Sequence, residues 1–143
     1  MILDSEAATA AAGASLAERV RPGDIITLDG PLGAGKTTLV RGLLHALGHE
    51  AEVPSPSFSL IQPYEGLALP VLHVDLYRLE DPEELWELGL ETAADGLLVV
   101  EWPDRAGPGA FPNALRLILS IEPDGETRRL TWAVPAAWEG RWP

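Results

Sequence analysis

A three-layer α/β domain built on a mixed sheet is what this sequence predicts, and three observations predict it. The short apolar strand Ile25-Ile26-Thr27-Leu28-Asp29 runs straight into a glycine-rich loop that opens a helix. The unbroken apolar run from Gly96 to Val100 ends in Glu101, the pattern of a central parallel strand covered on both faces. Two alternating segments, Leu115 to Ile121 and Thr127 to Val134, are joined through Pro123-Asp124-Gly125 and read as a closing hairpin. Strand and helix alternation followed by late antiparallel strands gives parallel core strands with antiparallel additions, including that C-terminal hairpin.

The elements follow in order. Residues Ser5 to Val20 read as a helix capped by Asp4 or Ser5, turning Leu16, Ala17 and Val20 inward and stopped by Arg21-Pro22-Gly23-Asp24. After the first strand and its loop, Lys36 to Leu47 is helical and Gly48 closes it. Val53 to Phe58 carries two prolines that remove donors and push their predecessors toward extended backbone, so a surface loop is expected. Ser59 to Tyr64 and Leu69 to Asp75 read as antiparallel strands joined through Glu65-Gly66. A helix starts at Asp81-Pro82-Glu83-Glu84, with cap, first-turn proline and early acids in favoured places, and ends at Gly89. Arg105 to Pro112 reads as loop, and Pro135 to Pro143 as a loosely ordered tail whose docking on the core is left open.

With 143 residues, 46% of them apolar, the chain can bury one core, so residues 1–143 are expected to form a single domain. There is no cysteine, which excludes a disulfide framework, a thiolate metal site and a cysteine nucleophile. No stretch approaches the apolar length of a membrane span, and Met1 to Glu6 lacks the basic region of a secretory signal, so a cytoplasmic protein is expected. A net charge of −12 opposes binding to a polyanion, because nucleic-acid affinity comes largely from cations that displace phosphate counterions. The same charge suits a basic protein partner, and a locally positive loop can still hold a nucleotide.

That loop carries the chain's one lysine. Gly30-Pro31-Leu32-Gly33-Ala34-Gly35-Lys36-Thr37 is a Walker A sequence, and every other cation is an arginine. Such glycine spacing turns backbone amides from Leu32 to Thr38 around a phosphate, and the following helix adds the positive end of its dipole. Lys36 is expected to reach the β and γ phosphates and the Thr37 hydroxyl to hold Mg²⁺. The metal needs a second anchor at a strand end, and two acids qualify, Asp75 and Glu101. Guanine recognition by Asn-Lys-x-Asp is absent, since Asn113 is the one asparagine, which leaves ATP as the expected nucleotide. Ser57, in the proline-flanked loop, stands where a γ-phosphate sensor is often placed, and an ordinary exposed turn fits it equally well. His73 reads as a hydrogen-bonded core histidine. Trp86, Trp132, Trp138 and Trp142 read as packing or interface residues, whereas Trp102 adjoins Glu101 and so the nucleotide.

Gly33-Ala34-Gly35-Lys36-Thr37-Thr38, Ser55-Pro56-Ser57-Phe58, His73-Val74-Asp75-Leu76-Tyr77-Arg78 and Glu101-Trp102-Pro103, taken in order, resemble the TsaE family, also called YjeE. Asp81 to Leu85 and Glu87-Leu88-Gly89 resemble that family's following helix. The resemblance implies a small P-loop ATPase needed for threonylcarbamoylation of the adenosine beside the anticodon in tRNA. It also implies work on a TsaB and TsaD pair rather than strong direct tRNA binding. It makes Thr37 and Glu101 the magnesium ligands, gives Asp75 a role in hydrolysis, and sets Glu6 and Arg128 beside the nucleotide. Ser57 occupies a position commonly threonine in the family, and Pro31 one that is often acidic. Slow hydrolysis of ATP, dependent on partners, is the expected activity. Two other classes share the loop, a nucleotide-switched binding module without essential turnover and a small-molecule kinase, the latter needing an arginine-bearing lid for which Arg78 and Arg105 are candidates.

Overall fold

The computed structural model describes residues 1–53, 61–107 and 109–142, apart from the side chains of 86–88 and 91–93. Strands β1 (Ile2–Leu3), β2 (Ile25–Asp29), β3 (Ile61–Tyr64), β4 (Val71–Asp75), β5 (Leu97–Glu101), β6 (Leu115–Ile121) and β7 (Arg128–Ala133) form one sheet, in the order β1-β7-β6-β2-β5-β4-β3. The inner strands β6, β2, β5 and β4 are mutually parallel, whereas β3, β7 and β1 join antiparallel. This is the mixed sheet that the apolar runs predict.

Two α-helices, α1 (Glu6–Ala17) and α2 (Lys36–Ala46), cover one face. Ser5 caps α1, its hydroxyl accepting from the Ala8 N–H at 3.1 Å. Against these helices lie Ile26 and Leu28 of β2, Leu97 and Val99 of β5, and Leu115, Leu117 and Leu119 of β6, alternate residues along each strand as the pleat requires. The opposite face packs Val74, Leu98 and Val100 with Leu76 and Leu79. Short 3₁₀ segments, Pro82–Leu88, Leu90–Asp95 and Pro103–Ala106, stand there in place of a full helix layer.

Several boundaries differ from the sequence expectation. Residues 82–88 are 3₁₀ rather than α, although the expected caps are present: Asp81 accepts from the Glu83 N–H at 3.0 Å, and Gly89 adopts φ 69°. Cap signals mark where a helical turn starts and stops, and both helix types use them. β4 begins at Val71 rather than Leu69, after Pro70, while β1 was not expected at all. Of the segment from Ser59, only Ile61 onward lies among the described residues. In the stretch after Pro135, Trp138 is fully buried and Trp142 nearly so, and Arg141 makes a bidentate pair with Asp24 at 2.7 and 2.9 Å. Arg141 also donates to the Arg19 carbonyl at the end of α1.

Two glycines let α1 and α2 pack closely. A β-carbon at Gly13 would stand 1.9 Å from the Leu39 carbonyl oxygen, and one at Gly42 would stand 2.0 Å from that of Ala10. The helix backbones therefore meet directly, and larger residues would separate them. Within an isolated helix, glycine to alanine is favourable by about 1 kcal/mol. Here the sign reverses: Gly13→Ala and Gly42→Ala are each expected to destabilise the fold by about 3 kcal/mol, the upper end for overpacked cores. Thermal or urea denaturation measures this, and stabilisation by either substitution would disprove the close approach.

Candidate functional site

The parallel register decides which side chains share the sheet's carboxyl edge. Asp75 pairs with Glu101 on the neighbouring strand, and Glu101 pairs with Leu28, two residues before Gly30. Gly30 and Gly35 bound the turn between β2 and α2. A β-carbon on Gly30 would approach the Leu119 carbonyl to 2.6 Å, and Gly35 starts α2 with φ 103°, a conformation that favours glycine. The resulting pocket, about 290 Å³, is lined by Leu32, Gly33, Gly35, Lys36, Thr37 and Thr38 from the loop and α2, and by Asp75 and Glu101 from the strand ends. Glu6 on α1 and Arg128 on β7 also reach it.

Ala34 does not line the pocket. Its methyl is buried in the core and its N–H donates to the Pro31 carbonyl at 3.1 Å. Ser57 lies outside the described residues. Ser5, Thr9, Trp102 and Glu126 contribute walls that motif reading had not assigned to the site. Trp102 alone carried a positional hint, its place beside Glu101; the other three owe their positions to tertiary packing.

Lys36 is buried, and its ammonium donates to the Gly30 carbonyl at 2.7 Å while lying 3.8 Å from the centroid of the Trp102 ring. Trp102 holds φ 56°, the left-handed region that a bulky residue rarely adopts, and Tyr77 packs on its ring at 5.0 Å. Arg128 donates to the Gly33 carbonyl at 3.2 Å, tying β7 to the loop. Asp75 accepts from the Tyr77 N–H at 2.9 Å through Oδ1. On the same face of the sheet, the fully buried His73 stands 2.6 Å from Glu101, Nε2 to Oε2.

Burial pulls the Lys36 ammonium below the ordinary lysine range, against the opposing pull of Glu101, Asp75 and Asp29. Burial also pushes the Asp75 carboxyl upward, with Glu101 reinforcing it and the Tyr77 N–H opposing it. Thr37, Asp75 and Glu101 supply oxygen donors only, a set suited to a hard divalent cation that keeps several waters. A larger cavity of about 460 Å³ lies on the other face of the sheet, around Thr27, Phe111 and Arg116. No lysine lines it, and its glycines, Gly107 and Gly109, do not open a helix, so chemistry rather than size selects the smaller pocket.

The sequence profile of the family described as threonylcarbamoyl adenosine biosynthesis protein TsaE matches residues 3–130. A relative from Rickettsia felis, named tRNA threonylcarbamoyladenosine biosynthesis protein TsaE, is 42% identical over 106 residues, covering 73% of this chain and 62% of that protein. The like-named Bacillus subtilis relative is 43% identical over 114 residues, covering 78% and 70%. With the relatives from Rickettsia conorii and Haemophilus influenzae at 59% and 58%, the chain spans about three fifths of the length of several relatives it matches. The crystal structure of Bacillus subtilis YdiB superposes with a TM-score of 0.78 at 30% identity, over 92% of this chain and 82% of that one.

The Asp75 shift fixes a pH dependence. A carboxyl raised above its ordinary value of 3.8 is favoured by folding in its neutral form. Its contribution to stability is therefore fully present below that value and is lost as pH rises through the folded-state pKa. Asp75→Asn keeps an acceptor for the Tyr77 N–H and removes the ionisation. The nucleotide-free variant is expected to melt above wild type at pH 7 and level with it near the acid end of this window. A melting difference that does not change with pH would contradict the assigned cause.

Proposed function

This chain belongs to the TsaE family, and on that premise we propose that it binds ATP with Mg²⁺ and hydrolyses it slowly. We further propose that it does so in tRNA threonylcarbamoyladenosine biosynthesis, acting on a TsaB and TsaD pair in the cytoplasm. The observation that carries the proposal is the convergence of Lys36, Thr37, Asp75 and Glu101 on one pocket at the mouth of a glycine loop.

In this reading the amides of Leu32, Gly33 and Gly35 to Thr38, with the positive end of α2 behind them, hold the phosphates. Lys36 exchanges its bond to the Gly30 carbonyl for phosphate oxygens and stabilises charge that spreads in the transition state. Thr37 and Glu101 would hold the magnesium ion, which when bound neutralises charge on the phosphates. Asp75, with Oδ1 occupied by the Tyr77 N–H, has Oδ2 left to orient an attacking water. Glu6 and Arg128 flank the nucleotide. Among the described residues, Arg128 is the arginine that lines the pocket, and it is engaged with the Gly33 and Gly125 carbonyls. Among the described residues no arginine lining the pocket is free of a carbonyl partner, and slow turnover in the absence of partners is proposed on that ground.

Lys36→Ala and Glu101→Ala are each expected to lower the rate of phosphate release from ATP by about 100-fold, as for loss of one charge-stabilising group. Calorimetry with ATP and magnesium should show heat of association with the wild-type chain. Unchanged rates in both variants would remove the assignment, and an absence of binding heat would remove the nucleotide altogether.

A further inference from the structure

We infer that His73 is a positioning residue that fixes the orientation of the Glu101 carboxylate before any metal arrives. The inference rests on the proposed role of Glu101 as a magnesium ligand. It goes further in assigning a histidine that the phosphate-binding loop does not include.

Glu101 ends β5, 3% exposed, and His73 lies on β4 with no exposure at all. A carboxylate removed from water is costly unless its oxygens are hydrogen-bonded. His73 meets that need from the adjacent strand, donating through Nε2 to Oε2 at 2.6 Å. Its Nδ1 is buried and has no partner among the described residues. A proton on Nδ1 alone would leave a buried donor unsatisfied and would set two acceptors against each other, so Nε2 carries the proton shared with Glu101.

The consequence is geometric. With Oε2 committed to the imidazole, Oε1 is the oxygen left for the pocket that Thr37 and Lys36 also line. The imidazole is short, rigid and enclosed by the core between β4 and the helices, so it can select one carboxylate rotamer where solvent could not. Support of this kind around a metal ligand characteristically changes affinity by about 10- to 100-fold when removed.

A histidine that merely filled the core would behave differently, and substitution can separate the two. His73→Gln keeps an N–H donor within reach of Glu101. His73→Leu keeps bulk without a donor, and His73→Asn keeps the donor but is too short. The magnesium concentration needed for half-maximal tightening of a non-hydrolysable ATP analogue is read by calorimetry, alongside thermal melting and affinity in EDTA. His73→Leu and His73→Asn are expected to raise that magnesium midpoint about tenfold, with His73→Gln returning close to wild type and EDTA affinity little changed throughout. If His73→Leu fails to fold, the comparison of Asn with Gln carries the test alone. Midpoints that match wild type in the folded donor-deficient variants would overturn the inference, as would a midpoint in His73→Gln raised as far as in His73→Asn. Wild-type binding indifferent to magnesium would instead overturn the role of Glu101, and this inference with it.

Discussion

The register of three parallel strands governs where chemistry can occur in this molecule. Asp75 is level with Glu101, and Glu101 with Leu28, so both carboxylates and the start of the glycine loop reach one edge of the sheet together. A slip of one residue in β5 would reverse the sides of its alternating side chains. Glu101 would then leave the helix face, and with it both His73 and the mouth of α2. The apolar residues that set the register, Leu97 and Val99 toward the helices and Leu98 and Val100 away from them, thereby also specify the site.

The helices impose a second condition. Close approach at Gly13 and Gly42 brings the start of α1 near the start of α2, so Ser5, Glu6 and Thr9 can form a wall of the same pocket that Lys36 and Thr37 floor. Far from the pocket, Arg141 fastens the other end of α1 by bonding both the Arg19 carbonyl and Asp24. Packing along its middle and the Arg141 bond just past its C-terminal end thus hold one helix in place.

Much of this was legible in the sequence. The strand, loop and helix from Ile25 to Ala46 could be read because an apolar run, a glycine spacing and a helical period adjoin in a fixed order, and β5 because its run of aliphatic residues ends abruptly in an acid. β1 could not be read, since two residues carry no periodicity and its partner lies more than 120 residues away. The sequence marks Trp138 and Trp142 as packing or interface residues and both are buried, yet they sit among prolines and glycine with no repeating pattern, so the docking of the segment that carries them could not be read. At the site, the loop and both strand-end acids were legible from spacing. Trp102 lies against Lys36 through a left-handed backbone that no side-chain pattern encodes, and the partner of His73 is on another strand.

The charge balance of the pocket ties these features together. Glu6, Asp75, Glu101 and Glu126 line it with Lys36 and Arg128, so carboxylates outnumber cations at a place proposed to take a polyanion. Burial further weakens the preference of Lys36 for its charged form, and its ammonium is already held by the Gly30 carbonyl and the face of Trp102. A bare triphosphate would meet repulsion that one lysine and the loop amides must overcome, whereas a triphosphate accompanied by a divalent cation brings its own compensation. Under the proposed function, Glu101, one of the acids that repel a bare triphosphate, is also a ligand of the cation that accompanies it. On that proposed reading, a preference for the metal-bound over the free nucleotide follows from this charge balance.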